Sequence, residues 1–489
     1  MVPRIPPHVT PILETLWSGG FAGYVVGGAL RDELLGRPAS DWDVATDARP
    51  ERLLALFPGA HYENRFGTVL VPVEPGRAVE VTTFRRDIEY RDRRRPDRVE
   101  FSDSLEEDLA RRDFTVNALA FGRDGHGEGP DLRLVDPSGG REDLAAQIIR
   151  AVGDPAERFD EDALRLLRAV RLATQLDFEI EPATLAALRA AAPHAATVSP
   201  ERVGQELRKM LAVHAPARGF RVLAETGLLA PLFSLLARQI GLAQQKGPGV
   251  DLWEHTLRTL DAAARLAPGD ETLAMAALFH DCGKPETWAD GHFIGHESAG
   301  AHRAADLLRR MAVPRREAEP VVDLVRWHMF GYESRWTDAA VRRLIQKVGR
   351  ETLPRLMLMR EADNLGSGEP ADAGGVDELR ERIAAELERG VPLTIRDLAV
   401  DGHDLRESIG LPPGPLLGAL LDRLLEAVIA DPERNERETL LADVRSWIED
   451  DPMLRAELAR AMERGHRRGA RGPQATPGEP AATSESGAP

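Results

Sequence analysis

One cysteine, Cys282, stands in 489 residues, so the chain can form no internal disulfide and no cysteine-based zinc site. That fits a reducing compartment. No apolar run reaches the roughly 20 residues needed to cross a bilayer. The proline-rich start MVPRIPPHVTP also lacks a secretory signal's apolar core. The expected location is the cytoplasm, with no membrane association. Surplus positive charge is missing too: the formal net charge is −17, which excludes a uniformly basic surface and requires any RNA site to be a local basic patch. No internal repeat is evident. With 43% hydrophobic and 29% charged residues, the chain has ample material for a core, and its length suggests three or more domains.

The most informative stretch is Gly27 to Thr46, GGALRDELLGRPASDWDVAT. Tyr24-Val25-Val26 reads as a short buried strand, so Gly27 and Gly28 fall at its end and open a helix from Ala29 to Leu35. Such a junction presents backbone N–H groups to a phosphate. Pro38 and Ser40 then turn the chain into a strand over Asp41 to Ala45, where period-two alternation puts Asp41 and Asp43 on one face. Two carboxylates on one face repel unless a cation lies between them. Mg²⁺ takes one or two carboxylates and completes its shell with water and phosphate oxygens, so the stretch reads as a site for a metal-bound nucleoside triphosphate. Alone, a Gly-Gly is a turn and an Asp-x-Asp a solvated edge; their order along the chain carries the signal.

Short strand-like and helix-like segments alternate up to Leu132-Arg133-Leu134-Val135, an α/β head. In Ala78 to Thr83, Glu80 shares its face with Thr82, either as a third carboxylate beside the pair or as part of a solvated face. Arg85 to Arg98, RRDIEYRDRRRPDR, reads as a mobile loop with a basic surplus, either plainly solvated or a flap near phosphates.

The wording GGALRDELLG with DWDVAT resembles the nucleotidyltransferase superfamily of DNA polymerase beta type. Within it, the chain resembles class II tRNA nucleotidyltransferases, the family of CCA-adding enzymes and bacterial poly(A) polymerases. Arg111 to Ala120, RRDFTVNALA, is similar to the family's second signature, in which the position of Arg112 contacts the incoming nucleotide. Asp136-Pro137-Ser138-Gly139-Gly140 resembles its head-to-neck hinge. From about Ala151 strand patterns give way to helical periodicity, and Phe159 to Arg171 reads as one amphipathic helix carrying Asp162, Arg165, Arg168 and Arg171. By itself that is a helix with an i,i+3 ion pair; by resemblance it is the nucleotide-selecting helix.

The chemistry of Asp162 and Arg165 suits that role. A carboxylate only accepts hydrogen bonds and a guanidinium only donates. Cytosine and adenine each offer an amine donor beside a ring-nitrogen acceptor. Guanine and uracil offer a carbonyl beside a ring N–H, a mismatch that is strongly rejected when buried. Val198 to Leu207, VSPERVGQEL, resembles the last neck motif, read as structural.

The second half places His255, then His280-Asp281, then Asp363 on expected helices. Six of thirteen histidines lie between Trp253 and His328. Imidazole and carboxylate ligands suit a transition metal or Mg²⁺, and a metal-bound water hydrolyses phosphate esters. The segment resembles the HD phosphohydrolase domain; the plain reading is a helical body whose polar residues satisfy one another. Gly366 to Gly375 reads as a linker. Asp401 to Leu405 and Leu411 to Gly418 form a turn-plus-helix unit similar to the family's tail, and composition from Gly465 onward indicates disorder.

The expected fold is α+β: a polymerase-beta-like head over 1–148, then an all-helical neck over 149–215, a body with the HD domain over 216–370 and a tRNA-binding tail over 371–450. Residues 451–489 form a terminal helix and disordered end. The resemblance implies template-independent addition of C and A to the tRNA 3′ end from CTP and ATP. Asp41 and Asp43 would hold Mg²⁺, with Glu80 beside them. Gly27, Gly28, Arg31, Arg112, Arg168 and Arg171 would bind the nucleotide, and Asp162 and Arg165 would read its base. His255, His280, Asp281 and Asp363 would hold a second divalent metal, Ni²⁺, Mn²⁺ or Mg²⁺. Poly(A) synthesis, partial CC or A addition, and an HD phosphohydrolase with a nucleotide-sensing head stay open on sequence, as does oligomeric state.

Overall fold

The computed structural model describes residues 2–63, 67–89, 98–125, 132–244, 250–411 and 413–469. Positions 90–97 of the expected basic loop, position 412 of the expected tail turn and positions 470–489 of the expected disordered end lie outside the described residues.

Gly23–Val26 (β1) is buried throughout, and Asp43–Thr46 (β2) buries all but its first residue. Such strands lie at the centre of a sheet covered on both faces. His61–Tyr62 (β3), Thr68–Glu74 (β4) and Arg77–Thr83 (β5) follow, then a separate antiparallel hairpin of Arg85–Glu89 (β6) and Arg98–Phe101 (β7). Ala120–Arg123 (β8) and Arg133–Val135 (β9) complete the seven-stranded sheet, in the order β3-β4-β5-β2-β1-β8-β9. Within this sheet, among the described residues, β2 and β5 are the one parallel pair. On one face Tyr24, Val26, Ala45 and Phe84 pack with Leu105 and Leu109 from helix Leu105–Ala110.

Three expectations about strands are corrected here. The strand expected over Asp41 to Ala45 begins at Asp43, because Val26↔Asp43 is the last β1–β2 pair and Gly27, at φ +78°, leaves the extended conformation. Asp41 is therefore placed by an irregular segment anchored on buried Trp42, and strand alternation does not position it. The ends of the expected basic loop form the β6–β7 hairpin, with Arg86 paired across it to Glu100. The charged residues of this stretch give sequence no hydrophobic period to reveal. Finally, strand pairing continues past Ala151: Glu179–Ile180 pairs in parallel with Ile148–Ile149.

The expected helix over Phe159 to Arg171 is two helices, Pro155–Glu161 and Leu164–Leu176. Asp162 sits at the break with extended φ −143° and ψ 107°, and its Oδ1 accepts the Leu164 N–H at 3.0 Å. A side chain that caps the next helix cannot also sit within a continuous one. Helix Leu164–Leu176 packs against Pro200–Leu211. Beyond it, Leu252–Leu266, Glu271–Phe279, His296–Arg310 and Arg315–Trp327 form a helical body.

The chain divides into two compact units, 1–329 with 358–371, and 330–357 with 372–489. The first contains the sheet, the neck helices and the histidine-rich body. In the second, Leu405, Leu424, Val428, Ile429, Leu440 and Val444 centre an apolar core. Arg342, 7% exposed, ties that unit together by donating to the Ile429 carbonyl at 2.7 Å, the Ala430 carbonyl at 3.2 Å and Glu386 at 2.9 Å. Arg342→Met should lower the stability of this unit by about 3 kcal/mol, because it strands two carbonyls and weakens a buried ion pair. Adding Glu386→Leu should recover part of that loss, as read from urea unfolding.

Candidate functional site

Sheet register assembles the first site. Asp43 pairs antiparallel with Val26 and in parallel with Glu80, and residues in register across neighbouring strands share a face. Both carboxylates line a cavity of 480 Å³. A Cβ at Gly27 would meet Asp43 Oδ2 at 3.2 Å, and the left-handed backbone there is strained for any other residue. Burial raises the pKa of half-buried Asp43 to about 6, helped by Glu80 and Asp41 and opposed by Arg112. Asp41 lines an adjoining 380 Å³ cavity that Asp43 also lines.

The expected nucleotide-binding residues divide between these cavities. Arg112, Asp162, Arg165 and Arg168 line the first; Gly28, Arg31, Arg168 and Arg171 line the second. Gly27 lines neither and packs beneath Asp43. Each arginine is held by a protein acceptor. Arg31 donates to Asn117 at 2.8 Å, Arg112 to Asp108 at 3.1 Å and Arg171 to Glu206 at 2.5 Å. Arg168 lays Nε and Nη2 on Asp113 at 2.7 and 2.5 Å. Burial pushes Asp113 up, yet Arg168 and the hydrogen bonds from Arg168 and Asn117 outweigh it and hold it well below the usual carboxylate range.

Asp162 and Arg165 are each anchored by other residues. Arg202 grips Asp162 through both oxygens, at 3.1 and 2.6 Å. Arg165 donates to Glu161 and to the Arg158 and Arg111 carbonyls, the latter two at 3.1 Å. Sequence reasoning missed Arg202, which lines the cavity with them. The signal was within VSPERVGQEL, but no local spacing links position 202 to 162.

The second constellation is buried among the body helices. His255 Nε2 lies 3.1 Å from His280 Nε2, 3.1 Å from Asp363 Oδ1 and 3.5 Å from Asp281 Oδ2. His280 Nε2 is 3.1 Å from Asp281 Oδ2. All four expected residues therefore converge. Burial drives the His280 pKa down to about 4 despite Asp281. His296 and His328, which the sequence offered only as members of the histidine-dense segment, also reach Asp281, at 3.3 and 3.6 Å. His292 and His302 stay exposed. A Cβ at Gly283 would fall 2.1 Å from the His296 carbonyl, so only glycine lets the turn after His280-Asp281 approach helix His296–Arg310 this closely. A 480 Å³ cavity lined by Lys284, His296, Arg360 and Asp363 opens beside the cluster.

A mixed sheet with registered carboxylates beside a glycine turn, followed by arginine-rich neck helices and a histidine-aspartate body, defines a nucleotidyltransferase with an HD domain. Three family models match in that order: the poly A polymerase head domain over residues 23–150, the probable RNA and SrmB-binding site of polymerase A over 177–240, and the HD domain over 252–367. The CCA-adding enzyme of Geobacillus stearothermophilus is 36% identical over 437 residues, covering 88% of this chain and 94% of that protein. That of Bacillus licheniformis is 33% identical over 442 residues, covering 90% and 96%. Among solved structures, the Bacillus stearothermophilus CCA-adding enzyme in complex with CTP matches with a TM-score of 0.64 and 32% identity, over 91% of this chain and 100% of that one. The chain belongs to the CCA-adding enzyme family of tRNA nucleotidyltransferases. No helix among the described residues is long and apolar enough to cross a membrane.

The raised pKa of Asp43 has a measurable sign. Asp43 ionises less readily when folded than when unfolded, so its charge costs stability above pH 6 and costs nothing once pH falls below the unfolded value of about 4. In EDTA, Asp43→Asn should melt above the wild type at pH 8, and the difference should close by pH 4. Thermal melts across that range check it.

Proposed function

We propose that this chain adds C and A to the 3′ end of tRNA from CTP and ATP without a nucleic-acid template. The observation that carries this is the register of Asp43 with Glu80 in the cavity that Asp162, Arg165 and Arg202 also line. It joins a carboxylate cluster suited to a metal-bound triphosphate to an acceptor-donor fork suited to a base edge. The similarity to an enzyme solved with CTP supports the same reading.

Asp41, Asp43 and Glu80 fit Mg²⁺: oxygen donors of one sign share a site in which burial penalises the bare charge on Asp43. Bound there, Mg²⁺ would neutralise triphosphate charge and make the tRNA 3′-hydroxyl more acidic. The turn at Gly27 and Gly28, with Arg31, Arg112, Arg168 and Arg171, binds the phosphates and sugar. Because Asp113 and Glu206 hold Arg168 and Arg171 in place, these cations meet the nucleotide already oriented. Arg202 holds Asp162 as acceptor for the exocyclic amine while Arg165 supplies the donor. Cytosine and adenine fit this fork, and uracil and guanine oppose like with like.

Asp162→Ala should therefore impair CTP and ATP use together by roughly tenfold to a hundredfold and relax rejection of UTP. Arg202→Ala should move both nucleotides in the same direction by less. Incorporation of each labelled nucleotide into tRNAs ending at the discriminator base, C or CC checks both. Unchanged selectivity in Asp162→Ala would reduce Asp162 to a helix cap.

A second activity rests on the buried cluster. His255, His280, Asp281 and Asp363 fit a divalent metal, because imidazole nitrogens and carboxylate oxygens converge at 3.1–3.5 Å in a buried site. Bound there, a divalent cation would supply an activated water for phosphate-ester hydrolysis. His280→Ala with Asp281→Ala should leave CTP addition largely intact and abolish metal-dependent hydrolysis of 2′,3′-cyclic or 2′-phosphate ends. Paired incorporation and phosphate-release assays across Mg²⁺, Mn²⁺, Ni²⁺ and Co²⁺ test it; no hydrolysis by the wild type with any of them would remove this activity.

A further inference from the structure

The two cavities beside Asp43 divide a nucleotide between them. Asp162, Arg165 and Arg202, which suit a base edge, line the first; the phosphate-presenting turn at Gly28 and Ala29 lines the second, and Asp43 and Arg168 line both. A nucleotide whose base lies in the first cavity therefore extends its phosphates into the second. Among the described residues, the cations lining that second cavity are Arg31, Arg168, Arg171 and Lys209. Three of them already have a carboxylate. Arg31 pairs with Asp32 at 2.8 Å, Arg168 with Asp113 at 2.5 Å and Arg171 with Glu206 at 2.5 Å. Those charges are largely offset before a ligand arrives, and what the arginines offer is fixed N–H geometry more than net charge. Lys209 differs. It is exposed, and among the described residues it makes no ion pair or hydrogen bond.

The helix that carries Lys209 is held from both sides. On Pro200–Leu211, Arg202 grips Asp162 and Glu206 holds Arg171, while Arg208, the residue before Lys209, pairs with Glu271 at 2.5 Å and Glu317 at 2.9 Å on two body helices. A Cβ at Gly204 would fall 2.9 Å from the Met311 Cβ, so the helix also lies close against the body. The backbone at position 209 is thus fixed while its side chain is free to move. That side chain is a compact cation on a four-carbon stem, with three donors and no acceptor.

We propose that Lys209 binds the β- and γ-phosphates of the incoming nucleotide and stabilises the pyrophosphate that leaves. In the transfer step the 3′-hydroxyl oxygen bonds to the α-phosphorus and its proton passes to water. The bond from that phosphorus to the bridging oxygen breaks, and its electron pair stays on the departing pyrophosphate. Negative charge therefore grows on the leaving group as the bond breaks, which is where a cation lowers the barrier most. Arginines fixed on buried carboxylates cannot follow a group that moves away, whereas an unpaired lysine can. This role rests on the reading of the head as a nucleotidyl-transfer site. It adds to that site a residue that lies two positions past VSPERVGQEL and that no spacing in the sequence connects to Gly28.

The test compares Lys209→Met and Lys209→Arg with the wild type in the full chain. With Mg²⁺ and no tRNA, Lys209→Met should bind inorganic pyrophosphate and CTP roughly tenfold to a hundredfold more weakly and bind CMP as the wild type does, which also shows that the variant folds. Lys209→Arg restores the charge and should recover most of the loss. In incorporation assays Lys209→Met should lower kcat/KM for CTP and ATP alike, with pyrophosphate a correspondingly weaker product inhibitor and the KM for tRNA unchanged. Wild-type affinity for pyrophosphate in Lys209→Met overturns the proposal, and so does an equal loss for CTP and CMP. A change confined to the KM for tRNA overturns it as well and moves Lys209 to the primer strand. Pyrophosphate binding does not require transfer, so a wild type that incorporated no nucleotide would sink the transferase reading while the pyrophosphate comparison still decided the role of Lys209.

Discussion

Electron-rich atoms that converge without enough positive charge between them are the constraint on which both halves of this molecule turn. In the head, Asp43 is half-buried beside Glu80 and near Asp41, and its pKa rises accordingly. In the body, imidazole nitrogens crowd both oxygens of Asp281. Folding alone would not favour either arrangement, because like charges and facing lone pairs cost free energy that nearby apolar packing must offset. A cation bound at either place would convert that cost into binding.

The arginines around the two head-side cavities, drawn from the head and the neck together, pose the opposite problem. They belong to an acidic chain of net charge −17, and the structure keeps them together by giving each a carboxylate or carbonyl partner. Asp108 holds Arg111 and Arg112, Asp113 holds Arg168, and Glu206 holds Arg171. The partners neutralise the cluster without filling the cavities, so side chains that would otherwise repel stay aimed at a shared space. An overall acidic balance is therefore compatible with a nucleotide site, because the field that matters is local and these charges are only partly screened by solvent.

Local chemistry made much of this legible in the sequence. The glycine turn, the Asp41 and Asp43 pair and the His, His-Asp, Asp order are short-range features whose residue types limit what they can do. The strand at Tyr24 to Val26 announced itself by an apolar run, and those around Val44 and Val81 by alternation. Less legible were features decided by polar contacts. The β6–β7 hairpin carries an ion pair, Arg86 with Glu100, where a hydrophobic period would be, and the break at Asp162 comes from a side chain capping the following helix. In both, the deciding interaction competes with the pattern that sequence reading depends on.

By itself, the sequence determined the kinds of chemistry available: oxygen donors near a phosphate-ready turn, an acceptor and a donor three residues apart, and a histidine-rich helical body without useful cysteine. Only the tertiary structure decided which of these groups meet. Parallel pairing of β2 with β5 put Glu80 beside Asp43, packing of Leu164–Leu176 on Pro200–Leu211 delivered Arg202 to Asp162, and the close approach at Gly283 brought His296 to Asp281. The reason is physical. Residue type and local spacing fix a side chain's charge, donors and helical or strand face, whereas sheet register and helix packing are set by the whole core and leave no trace in the spacing of residues 40 positions apart.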